Sequence, residues 1–96
     1  MYRQGDVLLK RVVVIPAGAK LADGERVVER GELTGHAHRL EGMAAIYTRY
    51  GVMYVLAGAG ARLVHEEHAA IDLPPGDYQV IRQREFDGEQ ARYVND

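Results

Sequence analysis

The sequence predicts an all-β fold, a small sandwich or barrel of about six to eight short strands in one domain covering residues 1–96. Short runs rich in β-branched and aromatic residues recur along the chain. Turn signals built from glycine, proline and aspartate separate these runs at regular spacing. No segment carries the apolar periodicity of a long amphipathic helix. Together these observations favour short strands over helices.

In the first half of the chain, three segments have the composition of strands. A turn at Gly5-Asp6 precedes the β-branched run 7–15, which ends at Pro16 because proline cannot donate to a sheet ladder. A loop of small and polar residues follows. The segments 26–30 and 34–40 are the next predicted strands.

The second half begins with the segments 43–50 and 52–56, which Gly51 separates as in a hairpin. The first of the two could instead form a helix, because its paired alanines are good helix formers. The remaining predicted strands, the last of them a short strand or tail, are 62–73, 78–86 and 91–94.

Composition and charge narrow the classes of function. The chain has no cysteine, which excludes disulfides, thiolate zinc sites and cysteine nucleophiles and fits a reducing cytoplasm. Its net charge of -2, with dispersed lysines and arginines, disfavours a general electrostatic grip on nucleic acid. The glycine-rich segment 57–61 is not followed by the Lys-Ser/Thr pair of a phosphate-binding loop, which disfavours nucleotide binding there. No signal-peptide pattern is present, and the longest apolar run, 12–15, is too short to cross a membrane. We therefore expect a soluble cytoplasmic protein without membrane association.

Two histidines in the segment 34–40 are the first candidate metal ligands. His36 and His38 alternate with other residues, so on an extended strand their side chains project from one face. Two neighbouring imidazoles are suitable ligands for zinc, iron, manganese or nickel. The alternative is that both are surface residues, or that one caps a loop.

The remaining two histidines, His65 and His68, also lie close together in sequence. On a straight strand they point to opposite faces, but on a helical turn or across a bulge they could converge. We expect His65 to face inward, because it is in phase with apolar residues of 62–73, and we take His68 as second choice. Glu67 shares the face of His65 and is the candidate ligand or general base, whereas Glu66 should face solvent. Alternatively, both glutamates form an ordinary charged rim.

The histidine pattern resembles part of the cupin metal motif, in which a glycine precedes His-x-His and a glutamate follows. The positions that carry this resemblance are Gly31, His36, His38 and Glu41. The resemblance implies a cupin-like barrel, with His65 or His68 completing the metal site from a later strand. The spacings are shorter than usual for the family, and the glycine-containing turn at 74–76 follows the later histidines instead of preceding them.

A second resemblance spans most of the chain and implies no activity. The sequence is similar to short uncharacterised bacterial and phage proteins. The segments that carry this similarity are Thr34-Gly35-His36-Ala37-His38, His65-Glu66-Glu67-His68, Leu73-Pro74-Pro75-Gly76-Asp77-Tyr78 and Gln83-Arg84-Glu85.

The sequence indicates two kinds of partner. One is a small anionic ligand bound by arginines, and the other is a second copy of the chain bound at a sheet edge. If their strands are neighbours, Arg39, Arg82 and Arg84 could hold a small anionic ligand such as a phosphate or carboxylate. The alternative is that they form ion pairs on a solvated sheet face. Because a small β domain has edges that must be paired or protected, we also expect a homo-oligomer.

Two functions of different classes follow from these patterns. The first is a small metal-binding β protein, which could be an enzyme in which the metal activates water and Glu67 acts as the base. A metal-free variant of this function uses the histidines for acid–base chemistry on a phosphate-containing ligand. The second is a non-enzymatic structural or accessory protein, in which the histidines form hydrogen bonds that fix the core or a subunit contact.

Overall fold

The computed structural model describes residues 1–31 and 33–82, and all regular secondary structure within them is β. None of these residues belongs to a helix that could cross a membrane. The strands, in chain order, are β1 (Tyr2–Gln4), β2 (Val7–Val12), β3 (Lys20–Leu21), β4 (Val27–Arg30), β5 (Ala37–Glu41), β6 (Ala44–Arg49), β7 (Val52–Ala57), β8 (Arg62–Val64), β9 (Ile71–Asp72) and β10 (Gly76–Arg82).

The strands form two antiparallel sheets. The first sheet has six strands in the order β1-β2-β10-β7-β6-β3, and the second has four strands in the order β4-β5-β8-β9. Strand β10 is the centre of the larger sheet, since it pairs with β2 along one edge and with β7 along the other. Within the described residues neither sheet closes on itself, so the architecture is sandwich-like.

Apolar side chains from both sheets form one core. Val7, Leu9 and Tyr78 of the larger sheet and Val28 and Leu63 of the smaller sheet belong to the same buried cluster. Alternation in β2 directs positions 7 and 9 inward, because successive side chains of a strand point to opposite faces. Each fully buried aliphatic side chain of this kind contributes about 1.5–3 kcal/mol to stability.

Several sequence predictions are confirmed by this fold. The protein is all-β within the described residues, and of the two predicted architectures the sandwich is the one present. Residues 43–50 and 52–56 do form a hairpin, β6–β7, with register from Ala44↔Ala57 to Arg49↔Val52. The helix alternative for the first of these segments is therefore wrong.

Other predictions are wrong in detail. The described residues do not form a barrel. They contain ten strands, more than the six to eight predicted, and several of these are only two or three residues long. The predicted strand 7–15 ends at Val12. The predicted strand 62–73 is interrupted, because only Arg62–Val64 and Ile71–Asp72 are extended and residues 65–70 form the loop between them. Residues 83–86 of the predicted strand 78–86, and the predicted strand 91–94, lie outside the described residues.

Candidate metal centre

The imidazoles of His36, His38, His65 and His68 meet at one end of the sandwich, and we call this group the histidine centre. The ring centroids of His38 and His65 are 4.3 Å apart, and those of His65 and His68 are 4.6 Å apart. His36 lies 5.7 Å from His65, and His38 lies 5.9 Å from His68. The two histidine pairs, which are distant in sequence, therefore lie together, as a metal site built from both pairs requires.

The β4–β5 connection places the first histidine pair. His38 lies on β5 and is fully buried, whereas His36 precedes the strand and is half-buried. The connection closes with a bond from the Gly31 N–H to the His36 carbonyl (2.7 Å), and Gly35 adopts a left-handed φ of 75°. His36 lies outside the strand, so the pair does not share one strand face as predicted, but both imidazoles contact His65.

The β8–β9 connection places the second pair in a loop instead of a strand. Because the backbone bends over residues 66–68, His65 and His68 do not alternate between two faces. Their rings come together, which is the convergent alternative of the sequence analysis. A bond from the Gln4 amide to the Ala69 carbonyl (2.9 Å) ties this loop to β1 of the other sheet.

Hydrogen bonds to Gln4 determine which nitrogen of His38 carries a proton. The Gln4 amide nitrogen donates to the carbonyls of Leu63 (3.0 Å) and Ala69 (2.9 Å), so its oxygen faces His38 as an acceptor. Nδ1 of His38, 2.9 Å from that oxygen, must therefore be the donor. In the neutral ring the lone pair is then on Nε2. This is the arrangement of metal-binding histidines, whose second ring nitrogen donates to a fixed acceptor.

The carboxylate of Asp6 lies close to that lone pair. Its Oδ1 lies 3.5 Å from Nε2 of His38, and only 4% of the residue is exposed. Two ligand atoms on a tetrahedral ion with bonds of about 2.0–2.1 Å are about 3.3 Å apart, so this pair is already close to the required separation. In the sequence, Asp6 is predicted only as part of a turn, and no spacing relates it to the histidines as a candidate ligand.

The Nδ1 of His65 accepts a hydrogen bond, whereas the Nδ1 of His38 donates one. The bond to His65 comes from the Glu67 N–H (3.0 Å), so the neutral His65 ring carries its proton on Nε2. To bind a metal through Nδ1, His65 must give up this bond. The Glu67 side chain is 59% exposed, and its Oε2 lies 3.4 Å from Nδ1 of His36. Glu67 thus lies at the mouth of the histidine centre.

Glu66 is exposed, as expected, and it also borders the site. Its Oε1 accepts a bond from the Ala37 N–H (2.9 Å), and its Oε2 accepts one from the Arg39 guanidinium (3.1 Å). The bond from Ala37 is the main reason that the pKa of Glu66 falls from 4.5 to about 2, and Arg39 lowers this pKa further. Ligand atoms of Glu66, His36 and His65 lie within 4.8 Å of one another, which makes this trio an alternative ligand set.

A family model described as Domain of unknown function (DUF8820) matches residues 3–83. The chain belongs to the DUF8820 family. The matched range includes both connections that carry the histidines, together with Gln4 and Asp6. A search of curated proteins and a search of solved structures each found no match.

Buried polar side chains of the DUF8820 domain are concentrated around His38. Among the described residues, those that are buried and polar or charged are Gln4, Asp6, Glu29, His38 and His65. Glu29 lies directly opposite His38 in the β4–β5 pairing, so both side chains project from the same face. Buried polar groups are costly unless they are paired, and their concentration at one place is typical of a functional site.

Two of the three arginines that could hold an anionic ligand lie among the described residues of the DUF8820 domain. Arg39 pairs with Glu66 (3.1 Å), and Arg82 lies 3.6 Å from Glu29 across the two sheets. Both therefore lie beside carboxylates, as in the ion-pair alternative. Arg84 lies outside the described residues.

Proposed function

We propose that the DUF8820 domain binds a divalent transition-metal ion, such as zinc, iron, manganese or nickel, at the histidine centre. The meeting of all four imidazoles at one end of the sandwich is the observation that carries this proposal. The absence of cysteine from the chain fits a ligand set of nitrogen and oxygen atoms, and it fits a location in the reducing cytoplasm.

Ring separations in the histidine centre support a shared ion. Two imidazoles bound to one tetrahedral ion through bonds of about 2.0–2.1 Å have ring centroids about 5 Å apart. The observed centroid distances extend from 4.3 Å to 5.9 Å. The observed range therefore brackets the spacing expected for rings that share one ion.

The best-prepared ligands are Nε2 of His38 and Oδ1 of Asp6. The bond to Gln4 orients the His38 lone pair, and Asp6 supplies a negative charge that lowers the free energy of a bound cation. His36, His65 and His68 are the candidates for the third ligand, each through a ring nitrogen. Asp6 is buried and His36 is half-buried, so the ligand set extends from the core to the surface.

An enzymatic role uses an open position on the bound ion. A divalent ion with three protein ligands makes a bound water more acidic, which prepares it for attack on a substrate. Glu67, at the mouth of the centre beside His36, is the group that we propose as the base for such a water. Because this enzymatic role requires a bound ion, metal binding is tested first.

Metal content of the untagged protein is the direct test. Elemental analysis should find a stoichiometric divalent ion in the wild type, and calorimetric titration of the metal-free protein should show saturable binding. The His36→Ala/His38→Ala variant should lose both. Because His36 is half-buried, His36→Ala alone tests binding without a core cavity. Glu25→Gln, which removes an exposed carboxylate paired with Arg30, serves as the control and should bind metal normally.

Two results contradict the proposal. One is metal retained at full stoichiometry by the double variant. The other is a wild-type protein that binds none of the four ions and whose thermal unfolding is unchanged by a chelator. The second result favours the accessory-protein function, in which the histidines contribute hydrogen bonds alone.

A further inference from the structure

The tip of the β6–β7 hairpin has a tyrosine in an unfavourable backbone conformation. Tyr50 has a φ of 50° and Gly51 a φ of 76°, which are the two positive values of a type I′ turn. The first of these positions favours asparagine, aspartate or glycine, because a side chain with a Cβ is strained there. Tyr50 is the only residue other than glycine with a positive φ in the described part of the chain. The residue is 90% exposed, so packing against the described residues does not explain why a tyrosine stands here.

The tyrosine borders a basic cleft of about 470 Å³. The described residues that line it are Gly18, Lys20, Thr48, Arg49 and Tyr50. Lys20 lies directly opposite Thr48 in the β3–β6 pairing, which places an ammonium group and a hydroxyl on the same face. The lining therefore combines two positive charges, a hydroxyl and an exposed aromatic ring, with no carboxylate among the described residues.

Two neighbours position the Arg49 guanidinium at this cleft. The guanidinium carbon lies 4.9 Å from the centre of the Tyr50 ring. A Cβ on Gly18 would lie only 3.1 Å from the Arg49 guanidinium, so the absence of a side chain at Gly18 provides the space that Arg49 fills. Within residues 1–31 and 33–82, neither Arg49 nor Lys20 is engaged in an ion pair, whereas Arg30, Arg39 and Arg62 each bond a carboxylate.

We propose that this cleft binds a nucleotide, with the phosphate held by Lys20 and Arg49 and the base stacked on Tyr50. Two cations that form no ion pair with any described residue, together with a hydroxyl donor, suit a phosphate group. An exposed ring with one face open suits a planar base, and stacking of this kind tolerates any base. The site is separate from the histidine centre and does not depend on metal binding. The same chemistry is offered by a free mononucleotide and by a nucleotide of a single-stranded nucleic acid.

Binding to the whole chain tests the proposal. The probes are AMP, adenosine, inorganic phosphate and a short single-stranded oligonucleotide, each titrated into the ¹⁵N-labelled protein at low salt. AMP should bind more tightly than adenosine or phosphate alone, with shifts at residues 18–20 and 48–51. Binding should weaken as salt is raised, because exposed charges are screened. An oligonucleotide that binds more tightly than AMP identifies nucleic acid as the source, and the reverse identifies a free nucleotide.

Three variants separate the ring from the charges. Tyr50→Asn removes the ring but places a favoured residue in the turn, so it should fold and should weaken AMP binding about fivefold or more. Arg49→Gln and Lys20→Gln should each weaken binding of AMP and of phosphate. Lys10→Gln, an exposed lysine of β2, is the matched control and should have no effect.

The proposal is overturned if neither AMP nor the oligonucleotide gives saturable binding. It is also overturned if Tyr50→Asn and Arg49→Gln bind AMP as the wild type does. Equal affinity for AMP and inorganic phosphate, unchanged in Tyr50→Asn, would exclude base stacking and with it a nucleotide.

Discussion

Nε2 of His38 and Oδ1 of Asp6 lie 3.5 Å apart at the end of the sandwich, and both side chains are buried. His38 comes from the four-stranded sheet, and Asp6 comes from the β1–β2 turn of the six-stranded sheet. The contact therefore joins the two sheets. It also brings a ring nitrogen and a carboxylate oxygen to the separation at which both can bind one ion.

Asp6→Asn should weaken metal binding by at least about tenfold, because the charge of a ligand is lost while its shape is kept. Calorimetric titration of the metal-free variant measures this change. Asp72→Asn is the matched control, since that carboxylate is 86% exposed and pairs with Arg62. Equal affinities of Asp6→Asn and the wild type would remove Asp6 from the ligand set.

Gln4→Met should destabilise the protein by about 2–4 kcal/mol, because it leaves buried partners of Gln4 without their hydrogen bonds. Those partners are the carbonyls of Leu63 and Ala69 and Nδ1 of His38. Urea unfolding measures the loss. Gln79→Met, at a partly exposed position of β10, should change stability by no more than about 0.5 kcal/mol. Similar effects of the two substitutions would show that the Gln4 bonds contribute little.

Glu66 should make stability depend on pH in the acid range. Its pKa is about 2 in the folded protein and 4.5 ordinarily, so the folded state favours the ionised carboxylate. The stabilisation is fully present above pH 4.5 and is lost as the pH falls towards about 2.

Unfolding of the metal-free protein measured between these pH values should therefore show a weaker pH dependence in Glu66→Gln than in the wild type. Glu25→Gln, at an exposed ion pair, should follow the wild-type profile. If the pH profile of Glu66→Gln also matches that of the wild type, the hydrogen bonds that Glu66 accepts from Ala37 and Arg39 do not persist in solution.

Tyr50→Gly should stabilise the protein by about 0.5–1 kcal/mol, because glycine adopts a positive φ without the steric cost that tyrosine bears. Thermal unfolding should report an increase of a few degrees in the midpoint. Tyr50→Phe keeps the Cβ and the ring, so it should leave the midpoint unchanged. A destabilised Tyr50→Gly variant would mean that the exposed ring makes stabilising contacts that outweigh the strain.

Local patterns accounted for the parts of the fold that depend on neighbouring residues. Gly51 between two β-rich runs predicted the β6–β7 hairpin, and the apolar residues in phase with His65 predicted its burial. The strand predicted over 62–73 was wrong because an apolar alternation cannot reveal that residues 65–70 bend. The homo-oligomer, the small anionic ligand of the arginines and the cytoplasmic location stay predictions.

The sequence by itself determined an all-β chain and the four histidines as its candidate chemistry, because strand alternation and residue type are local properties. The tertiary structure alone decided which groups surround His38. Gln4 and Asp6 reach it from the first hairpin across more than thirty positions of sequence, and Glu66 turns back to β5 through a bond to the Ala37 backbone. Such contacts depend on how the two sheets pack and where a loop bends, and no spacing within a single segment specifies either.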